Sequence, residues 1–428
     1  MEKTVSFYTL GCRLNQSETA SLQNLFEESG YRLVDGDEPA ELTVINTCTV
    51  TQGGDADTRR LVNKINRINP DARIALIGCQ AQTQKEKLAE LPNVCLIVGN
   101  ERKMDLVDIV HEIDLCEECQ VITPTIRRES FTMPIKKIDR GHTRANLKIQ
   151  DGCDFFCSYC EIPYARGRAR SRVFEDVLLE AKALAASGHK EIVLTGINVG
   201  LYKHENKTLL HILDALEKTD GLARVRISSI EHTTVPIELI QRMGTTKLCR
   251  FLHIPLQSGS DQILKAMDRK YGAQEFADFI VKAYQMVPEI CIGTDLLVGF
   301  PGESKEQFEE TYRFVEHLPV AYMHVFSYSK RHLARSKNLK DEVPAEKIKD
   351  RSQRLRDLSK SKRTAFLRGL IGTTQNVLFE EKRQDEWIGY TDHFVRVKYK
   401  CDKNIQNQII PVKMKVSEFP FMKGIKNE

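Results

Sequence analysis

The chain has 428 residues, with 63 Lys and Arg against 59 Asp and Glu, 41% hydrophobic and 29% charged residues, and 12 cysteines. That is too little cysteine for a disulfide-stapled secreted scaffold, and the length suggests about three domains. The opening MEKTVSFYTLGC has no signal-peptide pattern, and no window approaches the ~18 uncharged apolar residues of a membrane span, so a cytoplasmic protein with no membrane contact is expected. Charge is uneven. Residues 330–428 carry 24 Lys and Arg against 13 Asp and Glu, a net of +11, leaving −7 for residues 1–329. A basic C-terminal quarter on an acidic body points to a polyanionic partner gripped from one end.

The first hundred residues alternate apolar runs (VSFYTL, LTVINT, RIALIG, VCLIVG) with amphipathic ones (SETASLQNLFEES, ADTRRLVNKINRI, QKEKLAEL), the first helix opening at a cap on Ser17. This predicts an open parallel α/β sheet over residues 1–115. Cys12, Cys48 and Cys79 each fall just past the end of a strand, on the edge where such sheets bind ligands, so the three converge. Residues 116–140 lose the alternation and read as a linker. Its Cys116 and Cys119 form a lone Cys-x2-Cys, a weak metal or redox signal. Six further strand candidates follow: NLKIQDG, EIVLTG, VRISSI, FLHIPL, TDLLVGF and YMHVFSY. With helical stretches between them they predict a partial (β/α)6 barrel, extended by a basic helix to residue 365. Residues 366–428 switch to short strands (TQNVLFE, EWIGYT, FVRVKYK, QIIPVKMKV), a small all-β barrel similar in outline to oligonucleotide-binding folds.

The sharpest motif is DGCDFFCSYC, which places Cys153, Cys157 and Cys160 directly after the first barrel strand. Three close thiolates suit a cubane iron–sulfur cluster and leave one iron without a cysteine. A structural zinc would need a fourth ligand, and His142 lies on the wrong side of the strand to supply it. Cys95, Cys249, Cys291 and Cys401 lie in apolar or strand contexts and read as packing residues.

An open iron at the mouth of a partial barrel resembles the radical S-adenosylmethionine enzymes. That resemblance implies a role in holding S-adenosylmethionine for Tyr159, for Thr195, Gly196 and Asn198 in LTGINVGLY, for Ser229 and Glu231 in RISSIE, for Gln257 and Ser258 in IPLQSG, and for Gly299 and Gly302 in VGFPGE. With TLGCRLNQ, INTCTV and IGCQAQ ahead of QDGCDFFCSYCEIPYARGRARSR, the chain resembles the methylthiotransferases over nearly its whole length. Membership would make Cys12, Cys48 and Cys79 ligands of an auxiliary [4Fe-4S] cluster, Cys153, Cys157 and Cys160 ligands of the radical-generating one, and the C-terminal barrel an RNA-binding TRAM domain. TLGCRLN and RISSIE resemble the subgroup acting on N6-threonylcarbamoyladenosine beside the tRNA anticodon. The implied reaction abstracts hydrogen from adenine C2 by a 5′-deoxyadenosyl radical and bonds sulfur there, a second S-adenosylmethionine giving the methyl group. Implied partners are tRNA and a flavodoxin- or ferredoxin-like electron donor, with the sulfur donor unspecified.

Arg166, Arg168, Arg170 and Arg172 alternate in ARGRARSR and could grip phosphates or be spent on internal ion pairs. Lys360, Lys362, Arg363, Arg396, Lys398 and Lys400 are candidate RNA contacts, interleaved with Trp387, Tyr390, Phe394 and Tyr399, which could stack bases or fill the small core. After the sixth strand, SYSKRHLARSKN replaces the proline-glycine loop usual in relatives, and a flexible basic loop touching RNA is one reading. Alternatives are a sister enzyme for isopentenyladenosine or for an aspartate of a ribosomal protein, and a non-enzymatic, metal-stabilised RNA-binding protein.

Overall fold

The computed structural model describes residues 2–36, 38–50, 52–113, 118–136, 139 and 142–426; Cys116 lies outside these. Strands β1 (Thr4–Thr9), β2 (Arg32–Val34), β3 (Leu42–Thr47), β4 (Arg73–Gly78), β5 (Val94–Val98) and β6 (Gln120–Ile122) form one parallel sheet, ordered 2-1-3-4-5-6. Strands β3 and β5 are buried along their whole length because helices cover both faces of the sheet, which is why they read as continuous apolar runs. The three-residue β2 and β6 escape any pattern, and β6 lies in the stretch expected to be a linker. Helix α1 spans Arg13–Glu28 with Cys12 at its N-cap, so it does not start at Ser17. The Ser17 hydroxyl is spent elsewhere: it donates to Asn146 O at 3.2 Å and accepts from Lys136 Nζ at 2.9 Å.

Six more parallel strands run in chain order: β7 (Arg144–Lys148), β8 (Glu191–Thr195), β9 (Arg224–Ile227), β10 (Phe251–His253), β11 (Cys291–Val298) and β12 (Tyr322–Ser327). They pair as two three-stranded sheets joined by parallel bridges Val225–Leu248 and Ser229–His253. The result is an open, six-stranded partial barrel around one large apolar core. Helix α2 (Ala345–Gly369) leaves it, burying Leu355 in that core and Leu367 in the next.

The C-terminal unit is a closed barrel of β13 (Thr374–Arg383), β14 (Glu386–Thr391), β15 (Arg396–Lys400), β16 (Ile409–Glu418) and β17 (Phe421–Lys426), ordered 13-14-15-17-16. Four strands were expected. The fifth, FMKGIK, carries a central glycine and two lysines that hide its strand character, yet pairing on both sides closes the barrel. Trp387 and Val377 fill its core.

Candidate active site

The carboxyl ends of β1, β3 and β4 flank the point where the sheet order reverses, and they deliver Cys12, Cys48 and Cys79 to one edge. Gly11, at φ +96°, turns the chain there; a Cβ at this position would meet Cys48 Cβ at 2.8 Å and Sγ at 2.9 Å, so only glycine lets the two cysteine loops close on each other. Asn15 ties them together by donating to Leu10 O and Thr47 O at 2.7 and 3.0 Å. Cys12 sits at the N-cap of a 16-residue helix. Burial and the neighbouring Cys79 and Cys12 push the Cys48 thiol up to about 11.

Cys79 is fully buried and meets a positive charge. Arg166 Nε donates to its Sγ at 3.1 Å. The same guanidinium pairs with Glu18 and Asp151, each at 3.0 Å, while Lys103 and Lys148 pair with Glu18 at 2.5 and 2.7 Å. Three buried cations therefore face two carboxylates, yet burial still raises the Cys79 thiol, with the Arg166 and Lys103 charges working against that rise. Lys103 is depressed to about 8, chiefly by burial.

In the barrel, Cys153, Cys157 and Cys160 follow β7. Cys160 N donates to Cys157 O at 3.0 Å, closing the loop. Burial raises the thiols of Cys153, to about 11, and of Cys160. Arg269 Nη1 donates to Cys157 Sγ at 3.3 Å, and its Nη2 pairs with Glu231 at 2.5 Å. Each trio thus has one buried arginine on one sulfur. Among the described residues neither trio brings its three sulfurs within 4.8 Å of one another. Thiolates on a single zinc, with bonds of ~2.3 Å, sit about 3.8 Å apart, so both donor sets fit a wider cluster better than a lone zinc.

The strand ends above the barrel hold unspent polar groups. Thr195 Oγ1, Asn198 Nδ2 and Ser228 Oγ are buried atoms without a protein partner, a fit for a polar cofactor at this mouth. Gln150 Oε1, not singled out from the sequence, accepts from the backbone N–H of Ile197 and Asn198 at 2.9 and 3.0 Å and shapes the turn beside Gly196. Ser229 bridges to His253 across β9 and β10. Gln257 sits at φ +76°, its backbone laced to β11. Ser258 is tied inward to Thr311 Oγ1 at 3.1 Å. Gly299 packs against Ile348 of α2, and Gly302 faces open space. The Tyr159 ring lies against Met267 and Phe300.

The arginine run is corrected. Arg166 and Arg172 are wholly buried; Arg172 pairs with Asp176 and Glu180, each at 2.5 Å, and cannot grip phosphates. Arg170 is nearly buried against Glu101 at 3.0 Å. Arg168 is the exposed member, its guanidinium over the Phe156 ring at 4.2 Å. Of the C-terminal cations, Lys362 is spent on Glu316 O and Leu318 O, and Arg363 on Cys291 Sγ and Phe394 O. Lys360, Arg396, Lys398 and Lys400 stay at the surface or half-buried, with Arg396 and Lys398 over the Phe421 ring at 4.6 and 4.7 Å. Trp387 is core, its Nε1 donating to Cys401 O.

The loop after β12 is anchored at Arg331, while Lys330, His332, Arg335 and Lys337 stay exposed. Arg331, buried, pairs with Asp55 at 2.8 Å and Glu161 at 3.1 Å and donates to Thr49 Oγ1 at 2.9 Å, clasping the Cys48 and Cys160 loops together. The missed residues share one signal: Lys148, Asp151, Glu191 and Arg226 are charges inside otherwise apolar strand runs, which burial forces to find partners.

A six-stranded partial barrel with a Cys-x3-Cys-x2-Cys loop at its mouth defines a radical S-adenosylmethionine enzyme, here with a second three-cysteine site on a fused α/β sheet. Residues 147–315 match the Radical SAM superfamily and residues 4–99 the Uncharacterized protein family UPF0004. A threonylcarbamoyladenosine tRNA methylthiotransferase, MtaB, of Bacillus subtilis (strain 168) is 37% identical over 98% of this chain and 96% of its own length. A like-named protein of Aquifex aeolicus (strain VF5) is 38% identical over 91% and 95%. A tRNA-2-methylthio-N(6)-dimethylallyladenosine synthase of Geobacillus kaustophilus (strain HTA426) is 31% identical over 95% and 79%. Among solved structures, the radical S-adenosylmethionine methyltransferase TsrM from Kitasatospora setae superposes with a TM-score of 0.57 at 15% identity, over 76% of this chain and 73% of that one, a likeness of fold. The chain belongs to the radical S-adenosylmethionine tRNA methylthiotransferases.

Proposed function

We propose that the protein installs a methylthio group at C2 of N6-threonylcarbamoyladenosine in tRNA, next to the anticodon. The carrying observation is the pairing of two cysteine trios, one spread over the carboxyl ends of β1, β3 and β4 and the other in the loop after β7, with Arg166 reaching from beside that loop to Cys79 of the other domain. On this reading Cys153, Cys157 and Cys160 would hold a radical-generating cluster, and Cys12, Cys48 and Cys79 would hold a second, sulfur-supplying one. The chemistry supplied by these groups is a carbon radical at an unactivated position and a sulfur to meet it.

The chain's own residues bind, orient and exclude water. Thr195, Asn198 and Ser228 offer free polar atoms to S-adenosylmethionine. Arg269 sits on Cys157 and Glu231, fixing the barrel loop's charge. The clasp at Arg331 holds the two trios in one orientation, the positional control a radical transfer needs. Residues 1–115 form the sulfur-donating unit, 141–365 the radical unit and 366–428 a tRNA-gripping barrel through Arg396, Lys398 and Lys400, helped by Lys360 on the helix that leads into it. Electrons come from a flavodoxin- or ferredoxin-like protein in the cytoplasm; no helix among the described residues is long and apolar enough to cross a membrane.

The test is nucleoside mass spectrometry of total tRNA from a strain lacking the gene. Loss of only the methylthio form of threonylcarbamoyladenosine is expected. Loss of the methylthio dimethylallyl form in its place would keep the chemistry and overturn the substrate.

A further inference from the structure

Three guanidiniums gather around one phenylalanine. Arg13, Arg144 and Arg226 lie 5.8, 5.2 and 5.2 Å from the centroid of the Phe394 ring, which reaches in from the C-terminal barrel. Two have a carboxylate in hand: Arg144 pairs with Glu380 at 2.5 Å and Arg226 with Glu191 at 2.6 Å. Arg13 has none within 4.0 Å among the described residues; its polar contact is a long hydrogen bond, 3.4 Å, from Nη1 to Asn146 Oδ1. An arginine half-buried beside two others, without a counter-ion, is a site built for an anion that arrives from outside.

Arg13 lines a cavity of about 370 Å³ inside the partial barrel, with Arg226, Ser228, Ser229, His253 and Phe394 on its walls. The cavity is lined by no cluster cysteine but connects to each cysteine site through its walls. Arg13 directly follows Cys12, and Ser229 stands two residues before Glu231, which is linked through Arg269 to Cys157. Ser228 Oγ, unpartnered, is a ready hydrogen-bond group on the same wall. Asp295 on the far wall is already engaged by His253 Nε2 at 2.8 Å and His324 Nδ1 at 3.3 Å, which mutes its repulsion of an anion. Those three groups converge closely enough for a metal ion, but Arg226 and Arg13 on the same cavity oppose a cation.

We propose that Arg13 receives the carboxylate of the threonylcarbamoyl group and so makes the enzyme select an acidic N6 substituent over an apolar one. The inference rests on the function proposed above. In adenine, C2 and C6 flank N1, so a substituent on N6 projects from the same edge as the reacting carbon. Its pocket must then lie beside the place where C2 is held, and this cavity is linked to the two trios through Arg13, next to Cys12, and through Ser229, near Glu231. A threonylcarbamoyl group ends in a carboxylate and a hydroxyl, matching Arg13 and Ser228. A dimethylallyl group offers neither.

The test uses iron-loaded, full-length enzyme under anaerobic conditions with three anticodon stem-loop RNAs: the threonylcarbamoyl acid, its primary amide, and the dimethylallyl analogue. Binding constants and KM are measured for wild type, Arg13→Gln and Arg13→Lys, with iron content as a check on the adjacent Cys12. Wild type should bind the acid on the order of tenfold to a hundredfold more tightly than the amide. Arg13→Gln should bind the two alike, and Arg13→Lys should restore most of the preference. Wild type that treats acid and amide alike, or iron-loaded Arg13→Gln that still discriminates, overturns this inference while leaving the proposed function standing. Turnover of the dimethylallyl RNA with none of the acid overturns the function itself.

Discussion

Arg166 Nε lies 3.1 Å from Cys79 Sγ, and the two belong to different domains, 87 positions apart in the chain. The guanidinium has no access to water and also spans Glu18 and Asp151. Replacing Arg166 by Gln leaves those two carboxylates with one cation fewer and removes the charge beside a cluster thiolate. A buried pair broken from one side costs about 3–5 kcal/mol, so a fall of that order in urea-unfolding stability is expected. Iron retention should drop from about eight per chain toward four.

The two trios should be separable by function. Cys157→Ala should abolish reductive cleavage of S-adenosylmethionine, read as 5′-deoxyadenosine by chromatography. Cys48→Ala should leave cleavage intact and stop methylthio product. Product from either variant would overturn the assignment of the two clusters.

His393 gives a pH dependence. It is fully buried, neither ring nitrogen has a hydrogen-bond partner, and burial depresses its pKa from 6.5 to about 4. A folded value below the unfolded one means the unfolded chain binds the proton first, so stability is full above pH 6.5 and is lost as pH falls toward 4. Between pH 7 and pH 5 the loss from this residue is about 2 kcal/mol. Urea unfolding of wild type and His393→Gln at both pH values should show that much less acid sensitivity in the variant.

Arginines of one short run should part company in RNA binding. Arg168→Ala, like Lys400→Ala, should weaken tRNA binding in all sequences and lower the salt slope by roughly one ion. Arg172→Ala should leave the salt slope alone and destabilise the fold, because Glu180, beside Lys136 at 3.3 Å, loses its closest partner. Filter binding at several salt concentrations, with a melting curve for each variant, distinguishes these outcomes.

Sequence carried the strand-end cysteines, because a thiol just past an apolar run has a location wherever the run forms a parallel strand. The six barrel strands and the order of the units were legible for the same reason. ARGRARSR was not: alternation of charge looks like a solvated edge, and of the carboxylates that pair with Arg166 and Arg172 only Asp176 is a helical neighbour, while Glu18 comes from the other domain. SYSKRHLARSKN hides the role of Arg331 likewise, since that residue finds Asp55 across the domain boundary and Glu161 170 positions back in the barrel. Arg13 carries no role legible from the sequence, because its meaning depends on Phe394, which arrives from the other end of the chain.

The Arg331 clasp also sets an order of events during synthesis. Thr49 and Arg331 are 282 positions apart, so the cysteine loops at Cys48 and Cys160 leave the ribosome long before the residue that locks them together exists. Until then Glu161 and Asp55 lack this cation. The nascent protein can therefore join its two thiol sets through Arg166 and Cys79 well before it closes the second link between them, at Arg331.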